Sequence, residues 1–282
     1  MKHIKTLLFA TSLCVGLAVA PTWAAPSETG PGNENADAVT DNTWLELKYS
    51  PEQISGGGFS ASTSELKMRA ETGLFDDKMR AGVYFQTNIG GNNGTLSVAG
   101  VNPLTGHAFT AFPLNDIRYN DVEVYMKLPF NLMSELQTEN TGKGDPTGLN
   151  VTLGWKDTQI TGNGPVINLA TQTLNPNAGI TFVGGQGFGG GLGYDAKWQR
   201  FSVNALVAYY PSQNFNAGSS VVVPNGGSVT YRDWVYRIYA RTVIGPDTSG
   251  LGVGLGFDGE SLQFSNATLS ATGVTGGIDY HF

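Results

Sequence analysis

Cysteine is almost missing from this chain: Cys14 is the only one in 282 residues, so a disulfide within the chain is excluded. Leu13 precedes it where a lipidation signal needs a small residue, which argues against a lipid anchor. Histidine is scarce as well, with three residues, and basic groups number 16 against 23 acidic. That balance argues against a nucleic-acid partner. Long apolar runs are also missing. The stretch from Leu7 to Ala20 is shorter than the ~20 residues a helix needs to cross a bilayer, and no later segment matches it.

What is present begins with Lys2 and Lys5, that apolar stretch, and small residues up to Ala24 and Ala25, the order of a secretory signal peptide. Cleavage after Ala24 puts Thr22 at −3, whereas cleavage after Ala20 would leave Pro21 in a disfavoured first position. Residues 1–24 are therefore expected to be the signal. Residues 25–42, acidic and without an apolar period, read as a mobile leader. The folded part is expected over 43–282.

From residue 43 onward the main signal is alternation of polar and apolar side chains, the period of a strand. Glu65, Lys67, Arg69 and Glu71 oppose Leu66, Met68 and Ala70. Lys78 and Arg80 oppose Met79, Ala81 and Val83. Glu46 and Lys48 oppose Leu45, Leu47 and Tyr49. Asp121, Glu123 and Lys127 oppose Val122, Val124, Met126 and Leu128, and Lys156 falls on the polar face of a fifth segment. In a sixth, the alternate glycines 187–193, Asp195 and Lys197 oppose Phe188, Leu192, Tyr194 and Trp198. Phe201 to Tyr209 supply a seventh, Asp233, Arg237 and Arg241 mark an eighth, and glycines alternate with Leu251, Val253, Leu255 and Phe257 in a ninth. The last sets Val274, Ile278, Tyr280 and Phe282 against Thr275, Asp279 and His281. These segments predict an all-β chain of about ten antiparallel strands in up-and-down order. Twelve is the alternative, if two more strands lie within 129–147 and near 261–265. Longer connections are expected at 90–118, 158–184, 211–229 and 258–271.

A soluble β-sandwich also alternates. Aromatic residues near the strand ends (Trp44, Trp155, Trp198, Tyr209, Trp234, Phe257, Tyr280 and Phe282) are placed like interfacial girdles. Terminal Phe282, with Tyr280 and Ile278 on the same face, resembles the assembly signal that ends bacterial outer-membrane β-barrel proteins. The resemblance implies a transmembrane barrel in the cell outer membrane, with lipid and the barrel assembly machinery as partners. The polar faces would then line a lumen made by Glu46, Lys48, Glu65, Lys67, Arg69, Glu71, Lys78, Arg80, Asp121, Glu123, Lys127, Lys156, Asp195, Lys197, Asp233, Arg237, Arg241 and Asp279.

Two readings of such a lumen compete. Inward glycines and ionic strips suit a porin-like channel for small polar or charged solutes. Opposite charges in a narrow barrel would instead pair and close it, leaving a structural or adhesive barrel that acts through its loops. An outer-membrane protease or lipid hydrolase is a third class, and no enzyme activity is expected. His281 would sit at the periplasmic rim, and His107 has no carboxylate beside it in sequence, with Ser97 and Asp116 as the partners a fold could bring near. The run Gly185 to Gly190 matches G-x-G-x-x-G but opens no helix, so no nucleotide cofactor is expected. Asp76 and Asp77 read as turn carboxylates rather than a metal site. The sequons at Asn93, Asn150 and Asn266 carry no weight in bacterial export.

Overall fold

The computed structural model describes residues 43–74, 79–90, 92–97, 100–101, 108–109, 112–130, 148–168, 173–198, 200–216, 228–244, 250–265 and 267–281. Alternating sequences fold here as long antiparallel strands: β1 (Trp44–Gly56), β2 (Phe59–Leu74), β3 (Met79–Asn88), β7 (Phe112–Pro129), β8 (Gly148–Asn168), β9 (Thr173–Trp198), β10 (Phe201–Asn216), β11 (Ser228–Val243), β12 (Gly250–Gln263) and β13 (Thr268–His281). Three short strands, β4 (Gly94–Leu96), β5 (Gly100–Val101) and β6 (Ala108–Phe109), occupy the connection between β3 and β7. Each long strand pairs with its neighbours in chain order, and β1 pairs with both β2 and β13. The sheet therefore closes into a ten-stranded barrel, with β4 bridging β2 and β7. Closure removes the free edges along which another chain could add a strand.

Trp44 and His281 pair at the end where β1 starts and β13 finishes, here called proximal. The opposite, distal end carries the β1–β2 turn, where Gly57 has φ +57° and Gly58 +83°. Both values lie in the left-handed region that glycine enters without a Cβ penalty, so the pair can reverse the chain in two residues.

Several expected connections are strand. Residues 158–168 continue β8 and 173–184 belong to β9, while most of 258–271 is the β12–β13 hairpin. Position 261 therefore extends β12 rather than starting an extra strand. Residues 131–147, which hold most of the other stretch of the twelve-strand alternative, lie outside the described residues.

For β7, β9 and β10 part of the reason for the early stops is visible in the register, whereas the β12–β13 hairpin pairs without a break. Extra residues interrupt the ladders between Asn115 and Arg118, at Ile160/Thr161 against β9, and between Tyr210 and Gln213. A bulge shifts the alternation by one residue and so ends a period-2 pattern without ending the strand.

These interruptions coincide with an inversion of polarity along the barrel axis. In the proximal part, large apolar side chains stand outward, among them Leu153, Phe188, Leu192, Leu255 and Ile278, and charges fill the inside. In the distal part Ile54, Phe59, Leu114, Ile117, Ile160 and Phe182 point inward as one buried apolar cluster, while Gln53, Ser55, Ser60 and Ser62 face out. The proximal part is thus apolar outside and ionic inside, and the distal part has the section of a water-soluble β-protein.

Candidate functional site

The lumen is built in layers. Nearest the proximal end, Arg69 Nη2 donates to Glu46 Oε1 at 2.6 Å and Lys48 Nζ lies 2.8 Å from Glu46 Oε2. Glu71 accepts from Tyr125 at 2.8 Å, with Lys127 2.9 Å and Arg80 3.4 Å away. Arg241 pairs with Asp279 at 2.6 Å. Trp44 lies among these groups, with the Arg69 guanidinium 4.8 Å from its ring centre. This corrects its assignment to an outer girdle: Trp44 shares the inward face of Glu46 and Lys48 and is buried.

Midway, Arg237 Nη1 donates to Glu123 Oε2 at 2.6 Å, and Tyr210 donates to the other oxygen of that carboxylate at 2.6 Å. The same guanidinium stacks 3.9 Å from the Tyr84 ring centre. Nearer the proximal end, Asp195 accepts from Asn150 and Asn204 at 2.9 and 2.6 Å and lies 3.9 Å from Lys127. Lys67 bridges Glu52 and Asp258, the latter at 2.9 Å.

Below the apolar cluster, Lys156 is fully buried, with its ammonium 2.5 Å from Asp233, 2.6 Å from Glu260 and 3.6 Å from Asp121. Tyr119 also donates to Glu260. The buried Glu65 carboxylate takes no hydrogen bond among the described residues. Negative charge is in surplus here: Glu52, Glu65, Asp121, Glu123, Asp233, Asp258 and Glu260 face Lys67, Lys156 and Arg237.

Some of the glycines that suggested free space, Gly189 and Gly254 among them, are overlaid by tyrosines from adjoining strands, as is Gly82 on β3. A Cβ on Gly189 would lie 2.5 Å from the Tyr210 ring, on Gly254 2.5 Å from Tyr239, and on Gly82 2.5 Å from the Tyr125 hydroxyl. Missing side chains on one strand make room for large ones on the next. Two cavities within the lumen measure about 10 and 30 Å³, room for one or two water molecules.

A larger concavity, about 800 Å³, lies on the outer wall at the inversion level, between β3, β7, β8 and β9. Thr87, Asn120, Gln159 and Thr161 line it, on faces opposite the buried inward residues Gln86, Asp121, Thr158 and Ile160. The β7 bulge shapes its rim. Asp116 there has φ +49°, a left-handed conformation that Asp tolerates better than most residues. It holds Arg118 in two contacts of 2.9 and 3.1 Å.

Among solved structures, the outer membrane protease OmpT of Escherichia coli aligns with a TM-score of 0.50 at 12% identity, over 89% of this chain and 100% of that one. The chain has the fold of an outer-membrane β-barrel. The translocator domain of the autotransporter NalP from Neisseria meningitidis aligns at 11% identity over 99% of this chain and 97% of that one, with a TM-score of 0.42. No protein-family model matches, and no curated protein is similar in sequence.

On this barrel fold most of the lumen candidates named from the sequence have buried side chains. Glu46, Lys48, Glu65, Lys67, Glu71, Arg80, Asp121, Glu123, Lys127, Lys156, Asp233, Arg241 and Asp279 are buried, and Arg69, Asp195 and Arg237 are nearly so. Lys78, Phe282, His107, Asp76 and Asp77 lie outside the described residues, as does the side chain of Lys197. Ile278 and Tyr280 stand outward and exposed. His281 faces Trp44, with ring centres 6.2 Å apart at the proximal end. Sequence reading missed Glu52, Asp258 and Glu260. The signal was there, because Glu52 continues the face of Glu46 and Lys48, and Asp258 and Glu260 continue that of Gly252, Gly254 and Gly256.

Proposed function

We propose that this chain resides in the outer membrane as a closed barrel and acts through the wall and loops it presents outside, without conducting solutes. The observation that carries this reading is the buried apolar cluster of Ile54, Phe59, Ile117, Ile160 and Phe182 capping an interior already filled by ion pairs. A hydrated ion entering from the distal end would have to shed its water against this cluster, which offers it no partner, and then break pairs such as Lys156–Asp233. The ring of Leu153, Phe188, Leu192, Leu255 and Ile278 would face lipid, and the last strand would be what the assembly machinery reads. With the termini on the periplasmic side, the distal end is extracellular.

The porin-like alternative for small polar or charged solutes would need the apolar cluster to move aside. Planar-bilayer recording separates the two readings. The closed barrel predicts silence across voltages and salts, and reproducible unitary steps from the purified chain would overturn it. No catalytic residues are proposed.

A further inference from the structure

We propose that the concavity on the outer wall between β3, β7, β8 and β9 binds the carbohydrate headgroup of an outer-leaflet glycolipid. Its height on the barrel is the first argument. Phe85 and Val122 form its lower edge and continue into the apolar belt through Val124 and Met126 on the outward face of β7. A ligand in the concavity therefore stands at the level where acyl chains end and headgroups begin.

The second argument is chemical. Above that edge the lining is mostly uncharged hydrogen-bonding groups, Asn120, Gln159, Thr161 and Asn163 among them, with the carboxylates of Asp116 and Asp157 beside them. Such amides and hydroxyls both donate and accept, the requirement for sugar hydroxyls, which do the same. Gln159, Thr161 and Thr181 make no side-chain hydrogen bond among the described residues, so a ligand meets open valences. Cationic charge is too sparse for a site built on phosphate alone. Arg118, the lining residue of that sign, is already held by Asp116, and repeated arginine or lysine contacts are what a phosphate site uses.

The third argument is size and rigidity. A volume of about 800 Å³ accommodates a ligand of a few sugar rings. The rim is fixed, since Asn88 donates to the Ile117 carbonyl at 3.2 Å and accepts from the Tyr119 amide, and Thr87 donates to Asn120 at 2.8 Å. Recognition would leave the lumen untouched, so this inference rests on the outer-membrane placement proposed above but not on whether the barrel conducts.

The test uses the full mature chain, purified and delipidated in detergent, with three probes: lipopolysaccharide carrying a short core oligosaccharide, the same oligosaccharide freed from its lipid, and phosphatidylethanolamine. Saturable binding of the intact glycolipid is expected, with weaker binding of the free oligosaccharide at the same site and none by phosphatidylethanolamine. The double variant Gln159→Ala, Thr161→Ala should weaken glycolipid binding at least tenfold. Gln53→Ala, on the outer face of β1 and outside the concavity's lining, should leave it unchanged. Unaltered heat-modifiable gel mobility would show that both variants fold. Equal glycolipid affinity in the double variant, equal binding of phosphatidylethanolamine, or no glycolipid binding would each overturn the proposal.

Discussion

Lys156 on β8 and Asp233 on β11 meet across the lumen at 2.5 Å, although two strands separate theirs in the sheet. The contact ties together strands that do not pair and makes Lys156 the cation for three carboxylates. Replacing it by Met, which keeps the length of the stem, leaves those carboxylates facing one another. The expected loss is about 3–5 kcal/mol, the usual cost of stranding one side of a buried ion pair. Denaturant titration in detergent micelles measures it, and adding Asp233→Asn should recover part of the loss. Glu65→Gln should behave in the opposite way, neutral or stabilising, because no cation among the described residues pairs with that carboxylate. A Glu65→Gln variant as unstable as Lys156→Met would contradict this account of the charge layer.

The distal cluster predicts a local effect. Phe182 packs on Phe59 at 5.1 Å between ring centres inside a wall whose outer face is polar, so its stability comes from core packing as in a soluble protein. Phe182→Ala should cost about 3–5 kcal/mol. Hydrogen exchange should show faster opening of distal amides on β1, β2, β8 and β9, with proximal amides near Trp44 and His281 unchanged. Uniform loss of protection along the strands would mean that the two parts do not differ as described.

Legibility in the sequence followed the same division. In the proximal part the strands alternate strictly, most with charge on the inward side and β10 and β12 with uncharged residues there, so face and order could be read directly, down to Asp279 opposite Ile278. Toward the distal end two things defeated that reading. Bulges at 115–118 on β7, 181–183 on β9 and 210–213 on β10 shift the period. The inward residues also become Ile54, Leu262 and Leu269, so a rule that puts polar residues inside assigns the wrong face. The outer concavity lies at this boundary and combines residues of four strands, which no local pattern reveals.

The inversion can be tested with one substitution placed at two heights. Leu255, 68% exposed and outward on β12, lies within the apolar belt, and a cationic side chain there should cost about 2–4 kcal/mol near the bilayer midplane. Leu255→Lys should therefore slow and weaken refolding into phospholipid vesicles. Gln53→Lys, outward on β1 above the belt, should stay within about 0.5 kcal/mol of the parent. Equal penalties at both sites would place the lipid boundary elsewhere.

Glycine geometry gives the last contrast, between an inward and an outward position. A Cβ on Gly191 would press against the carbonyl oxygen of Val207 and lie 2.6 Å from the Ala208 Cα. These are backbone atoms, which cannot swing away as a flexible side chain could. Gly191→Ala should therefore force β9 and β10 apart and cost about 1–3 kcal/mol. On Gly276 the nearest atom to an added Cβ is the Leu255 side chain at 3.4 Å, an ordinary contact. There the substitution only restricts the unfolded chain, and Gly276→Ala should gain about 0.4–1 kcal/mol. Urea midpoints of the two variants in vesicles should move in opposite directions. A loss at Gly276 as large as that at Gly191 would show that close approach of the strands is not what glycine provides in this wall.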